Sequence, residues 1–193
     1  MSQIFENKLN ELGIALTDKQ KQQFDKFYEL LVEWNKVMNL TGITEYEEVN
    51  EKHFVDSLSI VKAIDMKSVK SVIDVGTGAG FPGLPLKICL RDIKLTLLDS
   101  LNKRINFLQE VSNTVNLEDV EFIHGRAEDF GKDSKYREQF DVATARAVAG
   151  LPILMEFCVP FVRLGGYFVC LKGPNANLEL EESQKAMEVL GLE

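Results

Sequence analysis

Apolar residues along this chain follow two rhythms, and the change between them falls near residue 66. In the first part Phe24, Phe27, Tyr28, Leu31, Trp34 and Met38 recur three or four residues apart, the period of an amphipathic helix. Thr17-Asp18-Lys19-Gln20, just ahead of that stripe, fits a capping box with Thr17 as N-cap and Gln20 reaching back. A shorter helix with Ile4, Phe5, Leu9 and Leu12 is expected to end at Gly13, because glycine tolerates the left-handed turn that closes a helix. A third is expected from about Glu47 to Ile64. Residues 1–65 therefore read as an all-helical appendage, and residues 66–193 as a second unit.

From Val69 onward short, almost continuous apolar runs alternate with helical stretches. Val72–Val75, Leu95–Asp99, Val120–His124, Phe140–Thr144 and Gly166–Leu171 are predicted strands. Leu84–Leu90, Asn102–Val115, Leu151–Val162 and Leu178–Leu190 are predicted helices between and after them. This alternation predicts an α/β fold with a mostly parallel sheet, right-handed crossovers and both faces covered. The polar stretch Gly125–Gln139 has no clear period.

Composition narrows the class without choosing a function. With 45% hydrophobic and 27% charged residues, the chain is of ordinary globular make-up. No apolar run is long enough to span a membrane; a cytoplasmic location, the default for cysteines without disulfide spacing, and action as a monomer are expected. Cys89, Cys158 and Cys170 are scattered without metal-ligand or disulfide spacing. They read as small buried hydrophobes, and no metal is expected. The net charge of −8 argues against nucleic acid, but the acidity is peripheral. Residues 66–178 hold 14 Lys/Arg against 13 Asp/Glu, which leaves room for a basic face.

The chemistry concentrates in Ile73-Asp74-Val75-Gly76-Thr77-Gly78-Ala79-Gly80-Phe81-Pro82-Gly83. A glycine-rich loop leaving the first strand lets a ligand lie against backbone at Gly76, Gly78 and Gly80. Asp99, at the end of the second strand, is placed to accept the ribose hydroxyls of an adenosine. NAD and S-adenosylmethionine both satisfy this pattern. Asp74 inside the strand favours S-adenosylmethionine, since an acid there repels a diphosphate and attracts an ammonium and a sulfonium. Ala127-Glu128-Asp129 after the third strand, where an adenine would lie, and the lack of room for a separate substrate domain point the same way. An NAD-dependent oxidoreductase and a non-catalytic ribosome-binding module stay as alternatives.

Further stretches bring a family into view. Trp34-Asn35-Lys36 with Asn39-Leu40-Thr41, His53-Phe54-Val55-Asp56-Ser57, Ile73 to Leu86, Leu97 to Arg104, Arg126-Ala127-Glu128, Ala145-Arg146-Ala147 and Leu171-Lys172-Gly173 are spread along most of the chain. In these the sequence resembles the small-subunit ribosomal RNA guanine-N7 methyltransferases, the RsmG or glucose-inhibited division protein B family. The resemblance implies a class I, Rossmann-like methyltransferase fold with S-adenosyl-L-methionine held at Gly76, Phe81, Ala127, Glu128 and Arg146. It implies methyl transfer to N7 of a guanine in 16S rRNA, with the small ribosomal subunit or its precursor as partner.

The residues agree with that chemistry. N7 has a free lone pair and no proton, so neither a general base nor a covalent nucleophile is needed and positioning dominates. No cysteine follows a proline, as a cytosine-C5 enzyme needs, and Thr144-Ala145-Arg146-Ala147 stands where an amino-group enzyme usually has Asn/Asp-Pro-Pro-Tyr/Phe. Arg146, Asn39 and His53 are the candidate catalytic residues. Arg146 is expected to hold a cofactor carboxylate or an RNA phosphate, with an ion pair to Asp74 or Asp141 as the structural alternative. Asn39, Thr41, His53, Asp56 and Ser57 are expected on the opposite wall, or in caps and interhelix bonds. Lys67, Lys70, Lys103, Arg104, Arg126, Arg163 and Lys172 are candidate phosphate ligands. The chain departs from the seven-stranded class I pattern after its fifth strand, so the last two strands are expected to be missing.

Overall fold

The computed structural model describes residues 2–146 and 149–193. Helix α1 (Gln3–Glu11) is capped by Ser2. It closes through Gly13, whose φ is +74°, with bonds from Gly13 N–H to Asn10 O and from Ile14 N–H to Leu9 O. Helix α2 (Asp18–Met38) starts at the full Thr17–Gln20 capping box and ends at Asn39, which adopts a left-handed conformation with φ +46°. The third predicted helix is more varied than its sequence suggests. An α-helical turn, α3 (Tyr46–Val49), widens into a π-helix over Asn50–Val55, continues as α4 (Asp56–Leu58) and tightens to 3-10 over Ser59–Lys62.

Five strands follow: β1 (Ser71–Val75), β2 (Lys94–Asp99), β3 (Val120–His124), β4 (Phe140–Arg146) and β5 (Val162–Leu171). Among the described residues all pairings are parallel, in the order β3-β2-β1-β4-β5. Between them run α5 (Gly83–Cys89), α6 (Asn102–Thr114), α7 (Ala127–Phe130) and α8 (Leu151–Cys158), with α9 (Ala176–Glu182) and α10 (Gln184–Leu190) after β5. The sheet grows from β1 outward to β3, then restarts on β1's other side with β4. The reversal opens a crevice beyond the carboxyl ends of β1 and β4, where such sheets bind ligands.

Strand β1 alternates its side chains between two cores. Val72 joins a cluster with Phe5, Phe24, Phe27, Phe54, Phe81 and Phe107, so the first helices and the cover over one sheet face share a continuous apolar interior. Ile73 and Val75 join Leu98, Ala143, Leu154 and Phe161 on the other face. Buried amides tie α2 to this cover, Gln20 Nε2 donating to Ile88 O at 2.9 Å and Gln23 Nε2 to Val115 O at 2.6 Å.

Several boundaries differ from the sequence reading. The helix expected to reach Val162 stops at Cys158 and leads through a 3-10 turn, because β5 already begins at Val162. Glu138 N–H and Gln139 N–H hold the carbonyls of Pro160 and Phe161, a long-range tie that no local pattern reveals. The last helix is broken at Ser183, whose hydroxyl bonds back to Glu179 O, a competition typical of serine inside helices. Ile4, read as part of the first apolar face, is 60% exposed.

Candidate functional site

The loop after β1 assigns its glycines different tasks. Gly76 and Gly78, at φ +66° and +61°, face the crevice, and a Cβ at Gly78 would meet nothing closer than Gly76 O at 3.9 Å. Gly80 faces inward instead. Its φ is +89°, and a Cβ there would lie 2.5 Å from Leu84 Cδ1 and 2.9 Å from Leu108 Cδ2. It lets the loop settle on the helices and does not line the cavities.

Asp74 is wholly buried beneath that loop. Its Oδ2 accepts from Thr77 Oγ1 at 2.7 Å and from Gly83 N at 2.8 Å, pinning both ends of the turn. Its Oδ1 is buried without a partner among the described residues. Burial pushes the carboxyl up to about 6, partly offset by the bonds from Thr77 and Gly83. Asp99, also buried, accepts from Gly78 N at 2.9 Å, Leu101 N at 2.9 Å and Arg104 Nη1 at 3.3 Å.

Two adjoining cavities meet over Gly76, Asp99 and Ser100. One, of about 490 Å³, is bounded by Val75, Leu98, Gly125, Ala127, Glu128 and Phe157. The other, of about 340 Å³, is bounded by Leu40, Thr41, His53, Phe81, Arg104 and Arg146. Glu128 is held by Arg126 at 2.7 Å, and that partner lowers its carboxyl below the usual range.

Arg146, the last residue of β4, closes the second cavity. Its guanidinium lies 4.8 Å from the centre of the Phe81 ring. It donates to Asp56 Oδ2 at 3.1 Å and to Lys52 O at 3.2 Å, and a further nitrogen lies 3.1 Å from His53 Nδ1. Nδ1 also lies 3.1 Å from the Lys52 carbonyl, but that oxygen already receives Arg146 Nη1, and a hydrogen on Nδ1 would meet the guanidinium hydrogen head-on. A guanidinium has donors only, so Nδ1 accepts and the ring hydrogen sits on Nε2, 2.8 Å from Thr41 Oγ1. His53 also stacks on Phe81 at 4.6 Å between ring centres. Burial first, and the Arg146 charge second, lower its pKa to about 4, so the imidazole is neutral at pH 7. The π-helical stretch presents His53 on this side, one of the settings in which such irregular turns occur.

Of the predicted site residues, Gly76, Gly78, Phe81, Asp99, Ala127, Glu128, His53 and Arg146 line the two cavities. Asp74 and Gly80 support the loop from behind. Asn39 is exposed at the end of α2 and does not line either cavity, whereas Thr41 does. Ser57 is buried and donates to His53 O in its own helix. The ion pair suggested for Arg146 falls on Asp56; Asp141 instead takes Arg163 at 2.6 Å. Ala147 lies outside the described residues. Of the candidate phosphate ligands, Lys70 and Arg163 sit at the opposite, amino-terminal ends of the strands, while Lys103 and Arg104 stand beside Asp99 at the start of α6. Leu40 and Ser100, which lie inside quoted stretches but were given no role there, also line the cavities, and so does Phe157, which no motif announces.

The model of the family described as rRNA small subunit methyltransferase G matches residues 20–193. A protein named ribosomal RNA small subunit methyltransferase G from Alkaliphilus metalliredigens is 55% identical over 188 residues, covering 97% of this chain and 79% of that one. One of the same name from Brevibacillus brevis is 54% identical over 187 residues, with the same coverage of 97% and 79%. Among solved structures, a SAM-dependent methyltransferase from Aquifex aeolicus superposes with a TM-score of 0.55 at 20% identity, covering 76% of this chain and 83% of that one. That likeness supports the Rossmann-like methyltransferase fold.

Proposed function

The chain belongs to the rRNA small subunit methyltransferase G family, and on that premise we propose that it transfers the methyl group of S-adenosyl-L-methionine to N7 of a guanine in 16S rRNA. The observation that supports this best is the pair of cavities joined over Asp99 at the switch point of the sheet. Their shape suits a two-part cofactor, a nucleoside at one end and an amino acid at the other. Ala127, Glu128 and Phe157 would border the adenine. Asp99, which faces both cavities, would take the ribose; a carboxylate has lone pairs beyond those used by Gly78, Leu101 and Arg104. The open backbone at Gly76 and Gly78 would bear the amino-acid end, with Arg146 as the cation for its carboxylate.

The bound cofactor supplies an electrophilic methyl group on a sulfonium. The protein's part is to orient the base and exclude water. Phe81 and His53 form a stacked, apolar floor, and neutral His53 adds no charge to repel the sulfonium. No side chain has to take a proton, since N7 has none. Positioning of this kind is worth roughly 7–11 kcal/mol. We read Arg146 and His53 as residues of this positioning wall, Asn39 as the helix end that turns the chain toward Thr41, and Asp74 as the anchor of the loop.

No described helix is long and apolar enough to cross a membrane, and a ribosomal substrate is in keeping with work in the cytoplasm. Residues 1–65 and 66–193 act in this reading as a helical wall and a cofactor-binding sheet. Lys103 and Arg104 are the basic residues best placed for RNA phosphate.

Incubation with labelled S-adenosylmethionine and unmodified small ribosomal subunits, followed by digestion of the rRNA, tests the proposal. One labelled 7-methylguanosine is the expected product. Cofactor binding without transfer would replace it with a ribosome-binding role, and preference for NAD would replace it with an oxidoreductase.

A further inference from the structure

Thr41 is held in an unusual state for a hydroxyl at a binding surface. Its oxygen receives Ile43 N–H at 3.0 Å and His53 Nε2–H at 2.8 Å. The direction of the second bond follows from Arg146, which can only donate and so claims Nδ1 as its acceptor; the Lys52 carbonyl, also 3.1 Å from Nδ1, is served by the guanidinium's other nitrogen at 3.2 Å. A hydroxyl oxygen has two lone pairs, and both are filled. Its own hydrogen meets no acceptor among the described residues, and the residue lines the cavity shared with Gly76, Phe81 and Arg146. Asn35 Oδ1 holds the Thr41 backbone N–H at 2.9 Å, so the segment after α2 presents this hydroxyl in one setting.

We infer that Thr41 selects the base: it donates to O6 of guanine and refuses the 6-amino group of adenine. This rests on the guanine-N7 reading above. Thr41 stands on the wall formed by the first helices, across from the loop and strand ends assigned to the cofactor, and that is the side from which a methyl acceptor must enter. Arg146, a permanent cation, is the stronger partner for a cofactor carboxylate. An adenine in the same place would bring an N–H donor against an oxygen with no lone pair to offer. A bond to O6 also leaves the N7 lone pair free to attack.

The test uses an rRNA substrate bearing either guanine or 2-aminopurine at the methylated position; the analogue keeps N7 and lacks O6. Single-turnover methylation is measured for the natural protein, T41S and T41V, with S-adenosylmethionine affinity by calorimetry. The natural protein and T41S are expected to lose about 10- to 100-fold on the analogue. T41V is expected to lose a similar factor on guanine and nothing further on the analogue, with cofactor affinity within about twofold. Should valine not fold there, T41C, which keeps the size but donates poorly, takes its place. Undiminished discrimination by T41V would overturn the assignment. So would a loss of cofactor affinity with discrimination intact, which would give the hydroxyl to the cofactor's carboxylate. If the natural protein makes no 7-methylguanosine on the guanine substrate, the guanine reading itself falls.

Discussion

Asp74→Asn isolates the energetic cost of keeping a carboxylate under the glycine loop. The native group is fully buried, with one oxygen bonded to Thr77 and Gly83 and the other unpartnered among the described residues. Burial raises its pKa from 3.8 to about 6. The folded state therefore holds the proton more tightly than the unfolded state does. The corresponding stability is fully present below the unfolded value near pH 4 and is lost as pH rises through about 6. A difference of about two units is worth roughly 3 kcal/mol in all, of which about 1.4 kcal/mol falls between pH 5 and pH 7.5. Asparagine keeps the shape, and its carbonyl can accept both existing bonds, but it does not titrate. Urea unfolding of both proteins across that range is the assay, since other titrating groups cancel in the difference. The gap between them should shift by about 1.4 kcal/mol, in favour of the variant as pH rises. Parallel stability curves would refute the reasoning and place the carboxyl in its ordinary range.

Two other substitutions probe the frame around it. Gly83→Ala places a Cβ 2.6 Å from Leu97 Cδ2 and 2.9 Å from Asp74 Oδ2, so chemical denaturation should show a loss of about 1–3 kcal/mol; an unchanged midpoint would mean the loop shifts freely. Arg146→Lys keeps the charge but loses the planar stack on Phe81 and the forked bonds to Asp56 and His53. Its kcat/KM should fall by about 10- to 100-fold with the circular dichroism spectrum unchanged, and equal rates would remove Arg146 from the positioning wall.

Much of this molecule is determined locally, and that part is legible in the sequence. The Thr17–Gln20 box, the Gly13 stop and the five strand cores depend on neighbours a few residues away, so period and capping chemistry locate them. The placing of Asp99 and the glycine loop at strand ends follows from strand alternation alone, because a parallel sheet puts every such end on one side. Tertiary structure decided what depends on residues far apart in the chain. Arg146 finds Asp56 some 90 positions away, and nothing in its own neighbourhood prefers that acid to Asp74 or Asp141. The π-helical turn at Asn50–Val55 buries Asn50, His53 and Phe54 and packs His53 and Phe54 against Phe81, a contact across the fold that the local pattern, which reads as an ordinary helix, does not reveal. Thr41 gains its meaning only when His53 and Arg146 fix where the hydrogens lie. Hydrogen-bond direction belongs to a network, and a network exists only once the chain has folded.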